Sequence, residues 1–300
     1  MGNSSTVQGR KRGADRIKIA SFNDLFGNME GPDSIQEIPL SELHPFKNHP
    51  FKVLMDKEMD NLVESIRQHG KILVPGTARK RKEGGYELIS GHRRREAAEL
   101  AGLSTMPVII KEMADDEAVL EMVDSNIQRE NLLYSEKAFA YKMKSEALKH
   151  QGSRKEKRTA DQIGGEADES GRNIQRYIRL TELTGELLSL TDQKKLGFIP
   201  AVDLSYLKKE EQETVYRKMK ELGVIPDGRQ AAELKKYSLS GEFSGSVAEL
   251  ILSRKKTANK KVVLKPERIN EFFPDSYSKN EIEEVIYRLL GEWKQEGGGI

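Results

Sequence analysis

The chain of 300 residues has no cysteine, and that absence removes disulfides, thiolate-bound zinc and thiol catalysis together. No apolar run approaches the ~18 residues of a membrane-spanning helix. Met1 to Arg12 also lacks the apolar centre of a secretory signal. A soluble, cytoplasmic protein with no membrane partner is therefore expected. Aromatic residues are scarce at 6%, and hydrophobic residues reach 36% against 33% charged, a balance that implies exposed helices and loose segments around modest cores. An excess of one charge is missing as well, since 50 Lys and Arg against 48 Asp and Glu leave a formal +2. Near-neutrality neither demands nor excludes nucleic acid, so the distribution of charge along the chain has to decide.

The length predicts two or three domains, because one core rarely extends past ~250 residues. Residues 1–36 read as a flexible arm rich in Gly, Ser, Asn and charge. Within it Phe22, Leu25 and Phe26 share a helical face after the candidate cap Ser21, and would pack on the body of the protein or in a partner's groove. Residues 37–133 carry a mixed pattern. A proline-broken loop over 44–53 precedes a helix with Met59, Leu62, Val63 and Ile66 on one face, ended by Gly70. The run Ile72–Arg79 reads as a loop into an edge strand, Pro75 being unsuited to a central one. Tyr86–Ser90 alternates as a strand, Ala97–Ala101 follows helical spacing up to Gly102, and Met106–Lys111 is again strand-like. Such alternation predicts a small mixed sheet whose helix starts converge on one end.

At the centre lies Ser90-Gly-His-Arg-Arg-Arg95. A strand, a glycine and a helix start make an anion site, because the first helical N–H groups have no internal partner and Gly91 permits close approach. Arg93, Arg94 and Arg95 add forked donors suited to phosphate. An isolated arginine run is as a rule a solvated or acid-paired surface, so a second segment must support this one. The helix over 115–129 buries Ala118, Val119, Met122 and Val123 and ends in the polar Asp124-Ser-Asn-Ile-Gln-Arg129. There Asn126 and Gln128 both accept and donate, Arg129 can fork onto phosphate, and Asp124 is a candidate partner for a divalent cation.

A connecting helix is expected over 135–150, then a two-helix pattern from Thr159. Thr159 reads as the first cap, Ile163 and Ala167 as its buried side, and Ser170 as the second cap. Gly164 and Gly165 each weaken the first helix by ~1 kcal/mol. In the second helix Ile174, Tyr177 or Ile178, and Leu180 face inward. Arg172, Asn173, Gln175, Arg176 and Arg179 then face outward, on a stretch from Gly171 to Leu180 that contains no acid. Arg on guanine and Asn or Gln on adenine is the chemistry of major-groove reading. Short helices continue to residue 240, a Ser, Gly and Lys linker covers 241–261, and residues 262–300 form a last unit. That unit opens on Val262-Val-Leu264. Its capping box, Ser278 to Glu281, precedes a stripe of Ile282, Val285, Ile286, Leu289, Leu290 and Trp293 that suits a small folded cap or self-association.

These motifs, in this order from about Leu43 to Lys235, resemble the ParB/Spo0J/Noc partition-protein family. The resemblance implies an α/β amino-terminal ParB-like domain (37–133), an all-α helix-turn-helix domain (134–240) and a small C-terminal helical unit. It implies CTP and Mg²⁺ as ligands. The Gly91 turn, His92 included, with Arg93, Arg94 and Arg95 would hold the triphosphate; Asn126 and Arg129 would lie at the metal and phosphates, beside Gln128; the loop at Pro75 and Gly76 would line the base. Double-stranded DNA is the implied partner of the 170–179 helix, Ser170 included. A ParA-like ATPase is a further partner for the arm around Phe22, and a homodimer is expected. Two residues depart from the family pattern: His92 stands where the family has Glu after the glycine, and Ser125 where it has Glu before Asn126. The latter Glu is associated with metal coordination and hydrolysis, and Asp124 lies about 100° around the helix from it. CTP binding is thus expected to outlast efficient turnover. The Ser90-Gly-His-Arg93 turn is also similar to the phosphate turns of sulfiredoxin and the free serine kinase. A nucleotide-dependent phosphotransferase, or a transcription regulator that no longer binds nucleotide, are the alternative functions.

Overall fold

A computed structural model describes residues 34–129, 131–152, 156–254, 269, 271–274 and 276–295. The segments around Phe22 and Val262 lie outside the described residues. Five strands, β1 (Ile35–Pro39), β2 (Leu43–Pro45), β3 (Gly76–Lys80), β4 (Tyr86–Ser90) and β5 (Thr105–Ile110), form one mixed sheet in the order β1-β5-β3-β4-β2. Strands β1 and β5 pair antiparallel, as do β3 and β4, whereas β3 with β5 and β2 with β4 are parallel. The β3–β4 hairpin turns through Gly84 and Gly85, both at positive φ.

Strand β3 is central, contrary to the edge position expected from Pro75. The proline sits one residue before the strand begins at Gly76, so its missing N–H removes no ladder bond. Gly76 itself is crowded: a Cβ there would lie 2.8 Å from the Met106 methyl and 2.9 Å from the Ser90 carbonyl oxygen.

Both faces of the sheet are covered. On β4, Leu88 and Ile89 are adjacent and fully buried, and the strand's period of two sends them to opposite sides. Leu88 joins Met59, Val63 and Ile66 of α1 (Lys57–His69) and Ala97 and Ala98 of α2 (His92–Ala101). Ile89 joins Phe46, Phe51, Ala118, Met122 and Val123, the last three from α3 (Asp115–Ile127), and Ala140 of α4 (Tyr134–His150). Helix α4 therefore belongs to two cores, because its Ala138 and Tyr141 pack into the bundle that follows.

That bundle comprises α5 (Glu156–Glu166), α6 (Gly171–Arg179), α7 (Gly185–Asp192), α8 (Phe198–Leu204), α9 (Lys209–Leu222), α10 (Gly228–Ser240) and α11 (Gly245–Ser253). They share one core running from Ile163 and Ile174 through Leu187, Leu204 and Met219 to Leu234 and Ile251. Thr159 is not a cap: α5 begins three residues earlier and buries it completely. Residues 245–253, expected within a linker, instead form α11 and bury Ala248, Ile251 and Leu252, so the bundle extends to residue 254. Helix α12 (Lys279–Gln295) belongs to a separate unit and has no buried residue among those described. Its capping box forms as expected, with Ser278 N–H donating to Glu281 at 2.7 Å and Glu281 N–H to the Ser278 hydroxyl at 3.4 Å. No described helix is long and apolar enough to cross a membrane.

Candidate nucleotide corner and DNA-reading hairpin

The corner forms where β4 meets α2. Gly91 adopts φ 105°, in the left-handed region, and α2 starts at His92 without a side-chain cap. A Cβ at Gly91 would lie 3.1 Å from the Gly76 Cα and 3.1 Å from the Met106 methyl, so the turn needs glycine for both conformation and space. The leading N–H groups of α2 keep the positive end of the helix dipole available to an anion.

The three arginines divide their roles. Arg94 donates from Nη1 to the carbonyls of Val74, at 2.7 Å, and Pro75, which ties the 74–76 loop to the corner. Arg93 is occupied otherwise, gripping Asp56 through two bonds of 3.2 and 2.7 Å. That carboxylate also caps α1, accepting from Met59 N–H at 2.9 Å. Arg95 turns away, with Nε donating to the Leu43 carbonyl at 3.1 Å and Nη1 lying 3.5 Å from Glu99. The expectation that all three point at phosphate is thus corrected, and for Arg93 and Arg95 the cause is local pairing.

Arg129 has neither an ion pair nor a side-chain hydrogen bond among the described residues. Lost hydration first, then the nearby Arg93, lower its pKa, with Glu136 opposing. Burial first, then Arg129, lowers that of Arg94. The far end of α3 and the start of α2 therefore crowd positive charge into one place, where among the described residues Asp56 is taken by Arg93 and Glu136 only partly offsets Arg129. His92 sits in the same cluster. Its ring centroid is 3.9 Å from that of His49, and Nε2 accepts from Phe46 N–H at 3.4 Å. Burial, then His49, Arg129 and Arg95, push its pKa down to about 3, so the ring is neutral. His49 is also lowered by burial; it bonds the Phe51 carbonyl at 2.8 Å through Nδ1 and leaves Nε2 buried without a partner.

Asn126 is 3% exposed and its Nδ2 donates to the Met122 carbonyl at 2.8 Å and Ser125 Oγ at 3.1 Å. Only its oxygen is left for a metal. Gln128 departs from expectation: four residues after Asp124, it follows that side chain onto the other face and helps line a cavity beside Lys144 and Glu166. Asp124 is itself paired to Lys144, so it holds no cation at the corner. The described residues contain no group of three or more His, Asp or Glu able to hold a metal.

In the hairpin Ser170 caps α6, accepting from Asn173 N–H at 3.2 Å. Arg172 and Gln175 are exposed and Arg176 half-buried, all three without an ion pair or side-chain hydrogen bond among the described residues. Two expected readers are engaged. The Asn173 amide donates to Glu169, which lies just before the acid-free stretch. Arg179 donates to the Ser205 carbonyl at 2.8 Å and stacks on Tyr206, turned toward α8 and α10 rather than outward. Gly164 is no defect: a Cβ there would collide with the Glu169 carbonyl oxygen and lie 3.0 Å from Gly171 N, so the helices meet across it.

A family model described as the ParB N-terminal domain matches residues 27–127. Over 228 residues the chain is 31% identical to a probable chromosome-partitioning protein ParB of Vibrio cholerae, covering 75% of this chain and 72% of that one. The chain belongs to the ParB family. It is 33% identical over 181 residues to Stage 0 sporulation protein J of Bacillus subtilis, spanning 59% of this ParB-family chain and 59% of that protein. Among solved structures it is similar to C-terminally truncated ParB of Caulobacter crescentus complexed to the centromeric parS site, at 23% identity and TM-score 0.42 over 67% of this chain and 98% of that one. The same Caulobacter protein complexed with CTP-gamma-S gives 26% identity and TM-score 0.30 over 57% and 92%.

For this ParB-family chain, sequence reasoning missed Asp56, His49, Lys144 and Tyr206. Asp56 alone announced itself, as an acid directly before a helix start. The others meet partners remote in the sequence, His49 against His92, Lys144 between Asp124 and Glu166, and Tyr206 under Arg179 and Lys235, and no spacing rule finds those.

Proposed function

We propose that the chain is a DNA-partition protein that reads a centromere-like site in double-stranded DNA through α6 and binds CTP with Mg²⁺ at the Gly91 corner. The observation that carries the nucleotide half is Arg129: a cation with neither an ion pair nor a side-chain hydrogen bond among the described residues, beside an uncapped helix start and a second desolvated arginine. Such a cluster is stabilised by a polyanion. Arg94 holds the 74–76 loop, Gly91 lets the phosphate chain approach, and the Asn126 oxygen is the protein donor offered to the metal. Bound Mg²⁺ would neutralise phosphate charge and take its remaining ligands from phosphates and water. Cytidine as the base rests on family membership.

With Ser125 in place of Glu, its hydroxyl donating to the Met122 carbonyl at 3.0 Å, position 125 offers no carboxylate to activate water, and the nucleotide acts by occupancy. Nucleotide held between α2 and α3 fixes their relation and biases one of two arrangements, closing a clamp on DNA. Self-association through α12 is supported by Tyr287, Leu289, Leu290 and Trp293, each more than half exposed. A ParA-like ATPase engaging the arm, and residence on the nucleoid or a plasmid in the cytoplasm, complete the proposal.

Titration calorimetry of the full chain with CTP and Mg²⁺ is the test. Arg129→Ala, which breaks no existing bond, is expected to lower affinity roughly tenfold to a hundredfold, as loss of a charge-assisted phosphate contact does. Wild-type protein that ignores CTP, or an Arg129→Ala variant binding as tightly as wild type, overturns the corner. A steady CTP turnover stimulated by DNA overturns the occupancy switch.

A further inference from the structure

The inward Arg179 opens a question about what fixes α6, and the surroundings answer it. Its Nη2 reaches the Ser205 carbonyl at 2.8 Å, and its guanidinium carbon lies 4.3 Å from the centroid of the Tyr206 ring. From α10, Lys235 places Nζ 3.8 Å from the same centroid and pairs with Asp203 at 3.0 Å. One ring thus carries two cations drawn from two helices, and it sits in the turn that follows a third. Tyr206 is 41% exposed, so burial does not explain why it stays in place. Arg179 Nε is buried with no acceptor. A lost hydration shell of this kind is unfavourable, and the negative ring face returns part of it.

Arg172 and Arg176 precede Arg179 by seven and three residues, which puts all three along one stripe of the helix. The C-terminal end of that stripe is closed by the tyrosine. Base reading tolerates only about 0.5 Å and 10–20° of misplacement in its side chains.

We infer that Tyr206 is a positioning residue for DNA reading: by clamping Arg179 against Lys235 it sets the rotation and end-point of α6, and so the register at which Arg172, Gln175 and Arg176 meet base edges. This rests on the proposal that α6 reads DNA. Releasing the clamp has two opposed effects. Cognate contacts lose register, while the freed Arg179 becomes a mobile cation able to reach phosphate, which favours any sequence alike.

The test measures binding of the full chain to two duplexes, one carrying the parS site of the Caulobacter protein and one a scramble of equal composition, over a range of salt. Tyr206→Ala is expected to lower the parS-to-scramble affinity ratio roughly threefold to thirtyfold. Affinity for the scramble should hold or rise, with a salt slope steeper by about one. Tyr206→Phe keeps the ring and should keep the ratio. Arg179→Gln removes the clamped cation and should match the lower ratio without the steeper slope, which secures a result should the alanine variant fold poorly. An unchanged ratio in Tyr206→Ala with a discriminating wild type overturns the clamp alone. So does a parallel fall in both affinities, the mark of general damage, or Phe and Ala variants falling together. Wild-type protein that does not distinguish the duplexes overturns the reading by α6 and the positioning role with it.

Discussion

Burial of the His92 ring opposes a positive charge on it first, and the nearby His49, Arg129 and Arg95 oppose it further, at a helix start whose dipole has the same sign. Its pKa of about 3 in the folded chain is below the ordinary 6.5, so the unfolded state takes up a proton first. Stability contributed by the neutral ring is therefore complete above pH 6.5 and lost as pH falls from there toward 3, with a slope of at most about 1.4 kcal/mol per pH unit for one proton. His49, lowered in the same direction, adds to the loss. Urea unfolding between pH 7 and 4.5 should show a steeper decline for wild type than for His92→Gln, and equal slopes would remove the histidine from the account. At this scale the sequence was partly legible. Gly91, Arg94 and Arg129 stand out from residue type and spacing, because a glycine between strand and helix and an arginine at a helix end have few roles. Arg93, Arg95 and Arg179 did not reveal theirs. An arginine's function depends on whether a carboxylate, a carbonyl or nothing faces it, and Asp56, Leu43 and Ser205 are 37, 52 and 26 residues away.

Between elements, contact decides what composition leaves open. Two adjacent glycines in α5 look equivalent in the sequence, each a weakness in a helix. Gly164 faces the turn before α6, where an added Cβ meets the Glu169 and Ser170 backbone, while Gly165 meets nothing within 4 Å. Alanine should therefore act in opposite directions. Gly165→Ala is expected to raise stability by about 0.5–1 kcal/mol through helix propensity. Gly164→Ala forces two backbones apart and should lower it by roughly 1–3 kcal/mol, the range of overpacking. Thermal melts of the two variants check the signs, and DNA affinity should fall for Gly164→Ala alone. Helices and strands were largely legible because periodicity reports burial directly, as in α1 with Met59, Val63 and Ile66. Their order within the sheet was not: the central place of β3 depends on pairing with β4 and β5, and Pro75 misleads by one residue. Helix α11 was hidden because its short apolar run, Val247 to Leu252, lies among the Ser and Gly that otherwise mark a linker.

Across the whole first unit, one buried cation joins what the two sites need. Lys144 on α4 is 4% exposed and holds Asp124 of α3 and, at 2.5 Å, Glu166 of α5. Helix α3 ends at Ile127, between Asn126 and Arg129 of the proposed nucleotide corner, and α5 is the first helix of the hairpin proposed to read DNA. Hydrogen bonds to both acids outweigh burial and raise the Lys144 pKa, so it stays charged. Its acids are about half exposed, which weakens each pair below the worth of a fully buried one. A nucleotide that draws the end of α3 toward α2 pulls on Asp124, and through Lys144 on Glu166. Linkage then requires DNA and CTP to alter each other's affinity by one common factor, typically about 5–150-fold. Lys144→Met keeps the volume and apolar stem while removing the shared charge. It should lower stability by about 1–3 kcal/mol, leave CTP affinity without DNA within a few-fold of wild type, and bring the factor close to one. CTP titrations with and without a saturating parS duplex measure that factor for both proteins. A factor that survives the substitution would take Lys144 out of the coupling and turn attention to Glu136, whose carboxylate accepts from the backbone N–H groups of Lys52 at 2.7 Å and Leu133 at 2.8 Å and so joins the His49 loop to the start of α4.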